Sequence, residues 1–269
     1  LLPQARSGYR LGHQSVIDAN LRDGLWCSFV DRHMGVLAEH IAEVYGVSRE
    51  EQDSFALASH RKAVEARRNG AFADEIVPVE APARRGPAQP VAEDEAPRPD
   101  TSLAALANLA PAFQPAGSVT AGNAPGLSDG AAALVVMERR RAEKAGCKPL
   151  ARIIGYASAA RDPDMIFAAP PLAIRRVLER TGLTLDDFDL FEVNEAFAAQ
   201  ILANQKELGW DATRLNVNGG AIALGHPLGA TGARILVTLV YALRRRGLKR
   251  GLAALCLGGG GAVALAVER

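Results

Sequence analysis

The chain has 269 residues, of which 48% are hydrophobic and 23% are charged, and its formal net charge is +1. Such a length can bury a substantial core in one large domain or two smaller ones, and the balanced charge gives no electrostatic reason to expect a nucleic-acid partner or a membrane surface. No apolar run reaches the roughly 18 residues of a membrane-spanning helix, and residues 1–6 lack the apolar core of a secretory signal.

The cysteine and histidine content excludes two further classes of protein. Three cysteines, an odd number, do not make a disulfide framework, so we expect a reducing compartment, the cytoplasm. His33 and His40 lie seven residues apart, and neither a Cys-x-x-Cys nor a His-Glu-x-x-His spacing occurs. We therefore expect no metal site.

Residues 16–70 show a mostly helical pattern. Side chains of one helical face recur there at intervals of three and four residues. They are Leu37, Ile41, Val44, Tyr45, Phe55, Ala58 and Lys62. Ser48 and Glu51 stand between the two runs at the spacing of a capping box, which predicts the start of the second helix.

Residues 80–98 change composition to Pro, Arg, Ala, Glu and Asp, with little periodicity. This composition predicts a loop that crosses the surface. The loop separates the helical part from a second part in which strand and helix patterns alternate.

The alternating part begins near residue 128. Its predicted strands cover residues 131–137, 152–156, 190–193, 252–257 and 262–267, and its predicted helices cover residues 139–145, 171–181 and 233–246. Pro171 at the start of the second helix and Gly182 after its end are residues that commonly begin and end helices. The alternation predicts a layered α/β architecture that closes with a hairpin of buried strands.

The densest chemical signal is the segment 216–232, which contains five glycines and a single ionisable side chain, His226. Glycine loses more backbone entropy on ordering than any other residue, so this density indicates backbone conformations or close approaches that other residues cannot make. The unperturbed pKa of histidine lies near neutrality, which suits proton transfer. The segment is therefore a candidate active-site loop.

Two further motifs accompany it, Val193–Ala198 with the sequence VNEAFA and Leu255–Gly261 with the sequence LCLGGGG. Together the three motifs resemble those of the thiolase family, the enzymes that make or cleave 3-ketoacyl-CoA thioesters. The resemblance runs from Gly24 to Arg269. It implies two α/β halves that pack together, with a helical loop domain inserted in the first half.

On that plan, residues 1–127 resemble the loop domain, residues 128–148 the last strand and helix of the first half, and residues 149–269 the whole second, C-terminal half. Thiolases carry their acylated cysteine in the N-terminal part of the polypeptide, and no segment here resembles its surroundings. We therefore expect that part of the family's sequence, and with it most of the first half, to be absent.

The resemblance implies an active site of four residues. Cys256 would act as acid and base on the substrate α-carbon, and the N–H of Gly258 would help to stabilise the thioester oxyanion. His226 would activate the nucleophilic cysteine and help to form an oxyanion hole, because a thiolate near neutral pH needs a base or a cation beside it. Asn194 would hold a water that donates to the enolate or thioester oxygen. Glu195, beside these four residues, would maintain the geometry of the site.

These residues also have ordinary structural interpretations. A free cysteine such as Cys256 is usually a buried small hydrophobe, and a lone histidine in an apolar segment is often a satisfied core residue. Asn194 could cap a helix that starts at Glu195, where an acid in the first turn is favourable. The four glycines after Cys256 are not a nucleotide loop, because neither Gly-Lys-Ser/Thr nor a GxGxxG unit with an acid follows.

Recognition of coenzyme A is implied more weakly. His33 and Met34 resemble the loop-domain segment beside the pantetheine arm and acyl group, and Arg98 would lie near the nucleotide phosphates. Taken alone, an arginine in a loop rich in Pro, Asp and Glu is more often an exposed charge. The other matching positions are Leu25, Phe113, Ala121, Leu127, Ala196 and Phe197.

The resemblance thus implies an acyl-CoA acyltransferase that catalyses reversible Claisen condensation and thiolysis of 3-ketoacyl-CoA, with acetyl-CoA C-acetyltransferase as the expected member. Coenzyme A is a substrate, no cofactor is implied, and family members are dimers or tetramers. Ala121 and Ala196 favour short acyl chains. The alternative is a non-catalytic CoA-binding or assembly protein, or one chain of a split thiolase, because the nucleophile would lie outside this sequence.

Overall fold

The structure is a computed structural model that describes residues 1–82 and 86–269. The α-helices are α1 (Met34–Val44), α2 (Arg49–Arg68), α3 (Leu103–Ala107), α4 (Arg139–Lys144), α5 (Ala169–Thr181), α6 (Ala198–Leu208), α7 (Ala221–Leu224) and α8 (Thr231–Arg246). The strands are β1 (Trp26–Cys27), β2 (Arg32–His33), β3 (Val79–Ala81), β4 (Gln89–Val91), β5 (Arg152–Ala160), β6 (Leu190–Val193), β7 (Arg250–Leu257) and β8 (Gly261–Glu268). None of the described helices combines the length and hydropathy needed to cross a bilayer.

A four-stranded sheet in the order β5-β8-β7-β6 forms the frame of the second part. Strands β7 and β8 make the predicted closing hairpin and pair antiparallel, with Cys256 opposite Ala262. Strand β6 runs parallel to β7 and is buried along its whole length. Because β8 is antiparallel to both of its neighbours, β5, β6 and β7 all end at the same edge of this sheet.

Helices cover both faces of the sheet, as the α/β prediction required. Successive side chains of a strand point to opposite faces. In β7, Leu252 and Ala254 pack in the cluster that contains Ile174 of α5, whereas Ala253 packs in the cluster that contains Leu239 of α8. The predicted helices at 139–145, 171–181 and 233–246 are confirmed, and Gly182 ends α5 with a left-handed φ of 69°.

The helical N-terminal part packs on the same framework. Helices α1 and α2 both lie against α6, and α2 also contacts α7. The predicted capping box is present: the Ser48 side chain accepts from the Glu51 N–H, and the Glu51 carboxylate accepts from the Ser48 N–H at 2.7 Å. These contacts place the second helix of the N-terminal part directly behind the glycine-rich segment.

The helical prediction is wrong between residues 16 and 33. That stretch contains one π-helical turn, Asn20–Gly24, and the two-residue strands β1 and β2. The reason is local, because Asp31 adopts a positive φ of 51° in the turn between the strands, which a continuous helix cannot include.

The predicted surface loop of residues 80–98 is also wrong in part. Strands β3 and β4 pair antiparallel there, from Val79 opposite Val91 to Ala81 opposite Gln89. Their side chains are nearly all exposed. A half-buried strand is recognised from apolar side chains at every second residue, and these two strands have no apolar face that would produce that pattern. Residues 83–85 of that predicted loop lie outside the described residues.

The predicted strand at residues 131–137 does not form. The segment belongs to no helix or strand and has no strand partner among the described residues, and Val135 is 85% exposed. A β-strand is stabilised by backbone hydrogen bonds to a neighbour, and apolar composition alone does not supply them. The composition AAALVVM nevertheless explains why the sequence predicted a buried strand.

The capping box of α2 can be tested by removing one hydroxyl. Ser48→Ala should lower the free energy of unfolding by about 1 kcal/mol, because the N–H of Glu51 loses its acceptor. The measurement is urea unfolding. Ser54→Ala, an exposed position in the same helix, is the control and should leave stability unchanged or slightly higher, since alanine is the better helix former. Equal losses in both variants would contradict the capping role.

Candidate active site

The parallel strands β6 and β7 bring two of the predicted site residues to one edge of the sheet. Asn194 follows the last residue of β6, and its N–H donates to the carbonyl of Ala254 in β7 at 3.0 Å. Cys256 lies two residues further along β7. Because the carboxyl ends of parallel strands meet at the same edge, the amide and the thiol are displayed together.

The segment 216–225 brings His226 to that edge. The N–H of Asn216 donates to the carbonyl of Phe191 in β6 at 2.9 Å, and the Asn216 side chain bonds both the N–H and the C=O of Val193. The chain then turns through α7 and reaches Gly225, whose φ is +95°. Only a glycine adopts that conformation without strain, so the backbone before His226 depends on it.

The imidazole of His226 is held from both sides. Its Nε2 lies 3.3 Å from Nδ2 of Asn194, and its Nδ1 lies 2.7 Å from Oγ1 of Thr231. The single hydroxyl proton of Thr231 is donated to the carbonyl of Pro227 at 2.9 Å. We therefore assign the proton of the neutral ring to Nδ1, which leaves Nε2 as a free base facing Asn194.

Burial sets the protonation states of the two titratable side chains. Burial, followed by the positive charge of Arg234, lowers the pKa of His226 to about 4. Burial raises the pKa of the Cys256 thiol to about 12. Both groups are consequently neutral at physiological pH, and the resting site holds an imidazole base and a protonated thiol.

The carboxylate of Glu195 joins three segments beneath the site. It accepts from Ser59 Oγ of α2 at 2.7 Å, from Nδ2 of Asn216 at 2.9 Å and from the N–H of Ile222 at 3.1 Å. Ser59 in turn accepts from the N–H of Gly220. Burial raises the pKa of Glu195, and the three donors oppose that change. Glu195 thus fixes the positions of these three segments beneath the site. It lies outside any of the described helices, since α6 begins at Ala198.

Asn194 does not cap a helix, so that structural interpretation is wrong. The residue that precedes α6 is Phe197, and its side chain makes no capping hydrogen bond. The Oδ1 atom of Asn194 is buried, and none of the described residues donates to it. A buried amide oxygen without a protein donor is a site that a water or a ligand donor can fill.

An aromatic wall stands beside Cys256. The rings of His33 and Phe113 are stacked with centroids 4.9 Å apart, and Phe113 meets Phe197 edge-on at 6.2 Å. Met34, Ala196, Phe197 and Cys256 belong to the same hydrophobic cluster. The structure therefore brings together five of the predicted substrate-lining residues, namely His33, Met34, Phe113, Ala196 and Phe197.

The other predicted residues lie further out. Leu127 is exposed and lines a cavity of about 700 Å³ with His226. Leu25 is half-buried, and its carbonyl accepts from the N–H of Met34 at 2.8 Å. Arg98 and Ala121 are exposed, and the Arg98 N–H donates to His60 at 3.2 Å. These positions agree with a surface-facing role but do not test it.

Gly258, the last of the predicted catalytic residues, lies in the exposed turn between β7 and β8. The space that a side chain would occupy at this position is open. Among the described residues, no group of three or more His, Cys, Asp or Glu side chains is arranged to hold a metal ion.

Two residues that position the site, Thr231 and Ser59, are not among those predicted from the sequence. Thr231 lies five residues after His226, at the first position of α8, where a side chain can reach back to the preceding loop. Its place at a helix start was the available signal. Ser59 contacts Glu195 across 136 residues of sequence, and no local pattern predicts such a contact.

Two family descriptions match the chain. "Thiolase, N-terminal domain" matches residues 1–140, and "Thiolase, C-terminal domain" matches residues 147–269. The chain belongs to the thiolase family. The predicted absence of the N-terminal part is not confirmed, because residues 1–140 match the description of that domain.

The sequences of individual relatives align with all or nearly all of this chain. An acetyl-CoA acetyltransferase of Pseudomonas aeruginosa is 54% identical over 269 residues, which are 100% of this chain and 68% of the relative. One of Escherichia coli is 53% identical over 266 residues, 99% of this chain and 67% of the relative. The crystal structure of the Bacillus anthracis acetyl-CoA acetyltransferase superposes with a TM-score of 0.96 at 48% identity, covering 100% of this chain and 68% of that one. The layered α/β thiolase fold and an acyltransferase activity are thereby established.

The buried Glu195 junction of this thiolase can be tested at Gly220. A Cβ added there would overlap the Glu195 carboxylate, which three donors hold in place. Gly220→Ala should lower the free energy of unfolding by about 1–3 kcal/mol. The control is Gly232→Ala in α8, where the nearest atom to an added Cβ is 3.8 Å away, and it should lose nothing. Similar unfolding curves for both variants would contradict the junction.

The protonation state of His226 can be measured directly. Because burial and Arg234 lower its pKa to about 4, the ring should stay neutral from pH 8 to pH 5 and take up a proton only as the pH approaches 4. Nitrogen-15 NMR of the imidazole, assigned with His226→Asn, should show the proton on Nδ1. Titration close to the ordinary histidine pKa of 6.5, or a proton on Nε2 of the neutral ring, would show that the assignment is wrong.

Proposed function

We propose that this thiolase is an acetyl-CoA C-acetyltransferase, in which two acyl-CoA molecules condense reversibly to a 3-ketoacyl-CoA and coenzyme A. The observation that carries the proposal is the juxtaposition of the Asn194 amide with the free Nε2 of His226 at the edge that also displays Cys256. The relatives' name, acetyl-CoA acetyltransferase, supports the same substrate class.

The proposed steps use each side chain in the state that its surroundings give it. The free Nε2 of His226 takes the proton of the attacking thiol, and the resulting Nε2–H can then donate to an oxyanion. In condensation the Cys256 thiol gives its proton to the departing coenzyme A thiolate, and the thiolate so formed takes the α-proton. In thiolysis the thiol returns that proton to the α-carbon. Asn194, whose Oδ1 has no donor among the described residues, orients a water toward the enolate oxygen, and the Gly258 N–H stabilises the thioester oxyanion.

We assign the acyl-accepting nucleophile to none of the three cysteines described. Cys256 has the proton-transfer role, Cys27 is buried in the core, and Cys147 is exposed with its Sγ 3.8 Å from the carbonyl of Ala145. The proton transfer at the α-carbon can be measured separately from acyl transfer.

The lining of the site supports a short acyl chain. The rings of Phe113, Phe197 and Phe167 pack in a continuous edge-to-face series, and Ala196 is buried beside them. Exposed Arg98, with Leu25, Ala121 and Leu127, would contact the outer part of coenzyme A.

The remaining parts of the proposal concern organisation. Residues 1–127 would serve as the loop domain that binds coenzyme A and supports assembly into a dimer or tetramer, residues 128–148 as the end of the first half, and residues 149–269 as the C-terminal half. The three cysteines are free, which supports a cytoplasmic location. A role in fatty acid metabolism would follow from the substrate class.

The activity itself is tested by incubating the protein with acetyl-CoA, or with a 3-ketoacyl-CoA and coenzyme A, and following the 3-ketoacyl-CoA chromophore. Formation or thiolysis of that product supports the acyltransferase. A protein that binds acetyl-CoA but neither condenses it nor exchanges its α-protons would instead be a binding or assembly protein.

The role of Cys256 is tested by isotope exchange. In deuterium oxide the wild-type protein should introduce deuterium into the methyl group of acetyl-CoA, and Cys256→Ser should lose at least about 10²-fold in rate, because a hydroxyl is a far weaker acid than a thiol and supplies almost no anionic base near neutral pH. Mass spectrometry of acetyl-CoA gives the rate. Cys147→Ser, at an exposed cysteine, is the matched control and should keep the wild-type rate. Normal exchange in Cys256→Ser would refute the proposed role.

A further inference from the structure

The glycine turn after Cys256 is held in place by Arg161, the residue that follows β5. The Arg161 N–H donates to the carbonyl of Gly260 at 2.9 Å. Gly260 has a φ of +86°, and a Cβ at that position would overlap the carbonyl of Arg161. The turn that carries the Gly258 N–H therefore rests directly on the backbone of Arg161.

The side chain of Arg161 is fixed in turn by Glu207 at the end of α6. Arg161 Nη2 donates to Glu207 Oε1 at 2.6 Å, and Arg175 Nη1 donates to the same oxygen at 2.7 Å. Arg175 Nη2 also donates to the backbone carbonyl of Glu207 at 3.1 Å. The Glu207 side chain is only 13% exposed, so these charge-assisted bonds are sheltered from water.

The second carboxylate oxygen of Glu207 reaches the N-terminal part of the chain. Tyr45, directly after α1, donates its hydroxyl to Oε2 at 2.7 Å. Burial and the neighbouring carboxylate raise the pKa of Tyr45, so the phenol keeps the proton that it donates. Lys206 reinforces the contact by donating to the carbonyl of Gly46 at 2.7 Å.

We propose that Glu207 is a positioning residue for the reaction at Cys256, because it ties the glycine turn, through Arg161, to the Tyr45 end of α1. The inference rests on the proposed function of Cys256 and Gly258. Helix α1 begins at Met34, next to the His33 that stacks in the aromatic wall. One carboxylate thus connects the element that carries the reacting groups with the element that lines the substrate.

The turn needs such an external restraint because its own sequence supplies none. Gly258, Gly259 and Gly260 have no side chains to pack, and glycine has the largest backbone freedom of any residue. A displacement of about 1 Å at a reacting group can lower a rate by about 10²-fold. A bridge that limits this freedom therefore acts on the rate of the chemical step more than on binding of the substrate.

The same strands contain a matched control at their opposite end. Glu268 of β8 accepts from Arg250 Nε at 2.8 Å and lies 3.5 Å from Arg152 and 3.9 Å from Lys249. Its side chain is 19% exposed. This second cluster joins β5, β7 and β8 and is also built of arginines around one glutamate, but it lies away from the glycine turn.

The experiment compares Glu207→Gln with Glu268→Gln in the full protein. Glu207→Gln should lower the maximal rate of α-proton exchange in acetyl-CoA by about tenfold with KM changed less than about twofold. Hydrogen exchange measured by mass spectrometry should become faster in peptides covering residues 160–163 and 257–261. Glu268→Gln should change neither quantity. Tyr45→Phe, which removes one hydroxyl and cannot disturb the arginines, should lower the rate by about threefold.

The outcomes separate this proposal from the proposed function. A wild-type protein without exchange activity refutes the function and the positioning role with it. An active wild type with unchanged rates in Glu207→Gln and Tyr45→Phe refutes only the positioning role. Equal losses in Glu207→Gln and Glu268→Gln, or a loss carried by KM, would likewise refute it, because either pattern reflects general weakening of the fold.

Discussion

The arrangement of the site depends on the buried carboxylate of Glu195. Removing a carboxylate from water carries a large free-energy penalty unless donors surround it, and here three donors do so. They come from α2, from the segment that pairs with β6, and from the start of α7. Because none of the three donors can withdraw without leaving a buried carboxyl oxygen without a partner, one side chain fixes the helical part, the sheet and the glycine-rich segment relative to one another.

That constraint explains the glycines of the segment before His226. Gly219 lies against the backbone carbonyl of Ser59, and Gly220 lies against the Glu195 carboxylate, so that a Cβ at either position would overlap its neighbour. The glycines are there because the backbone approaches α2 and Glu195 more closely than any side chain allows. His226 then follows this segment to the edge of the sheet, where Thr231 and Asn194 orient its ring.

The elements that were predicted correctly from the sequence are those whose patterns lie within a short stretch of chain. The capping box of α2, the helix that ends at Gly182 and the hairpin of β7 and β8 each depend on neighbouring residues, and each is confirmed. The assembly of Asn194, His226 and Cys256 was accessible only through the family resemblance, because 62 residues separate the first from the last. The strand predicted at residues 131–137 was wrong for a different reason. Its composition is that of a strand, but strand formation depends on a partner strand that composition does not specify.

The fold also keeps the two titratable side chains at this site, His226 and Cys256, uncharged at rest. A thioester carries no charge, whereas its enolate and tetrahedral forms carry a negative oxygen. The resting site matches the uncharged substrate, since His226 with a pKa of about 4 and Cys256 with a pKa of about 12 are both neutral near pH 7. In the proposed reaction, charge appears only as protons move between these groups and the substrate. The burial that shifts both pKa values also shelters the Nε2–H that His226 would offer to an oxyanion, which makes that donor more effective than one exposed to water.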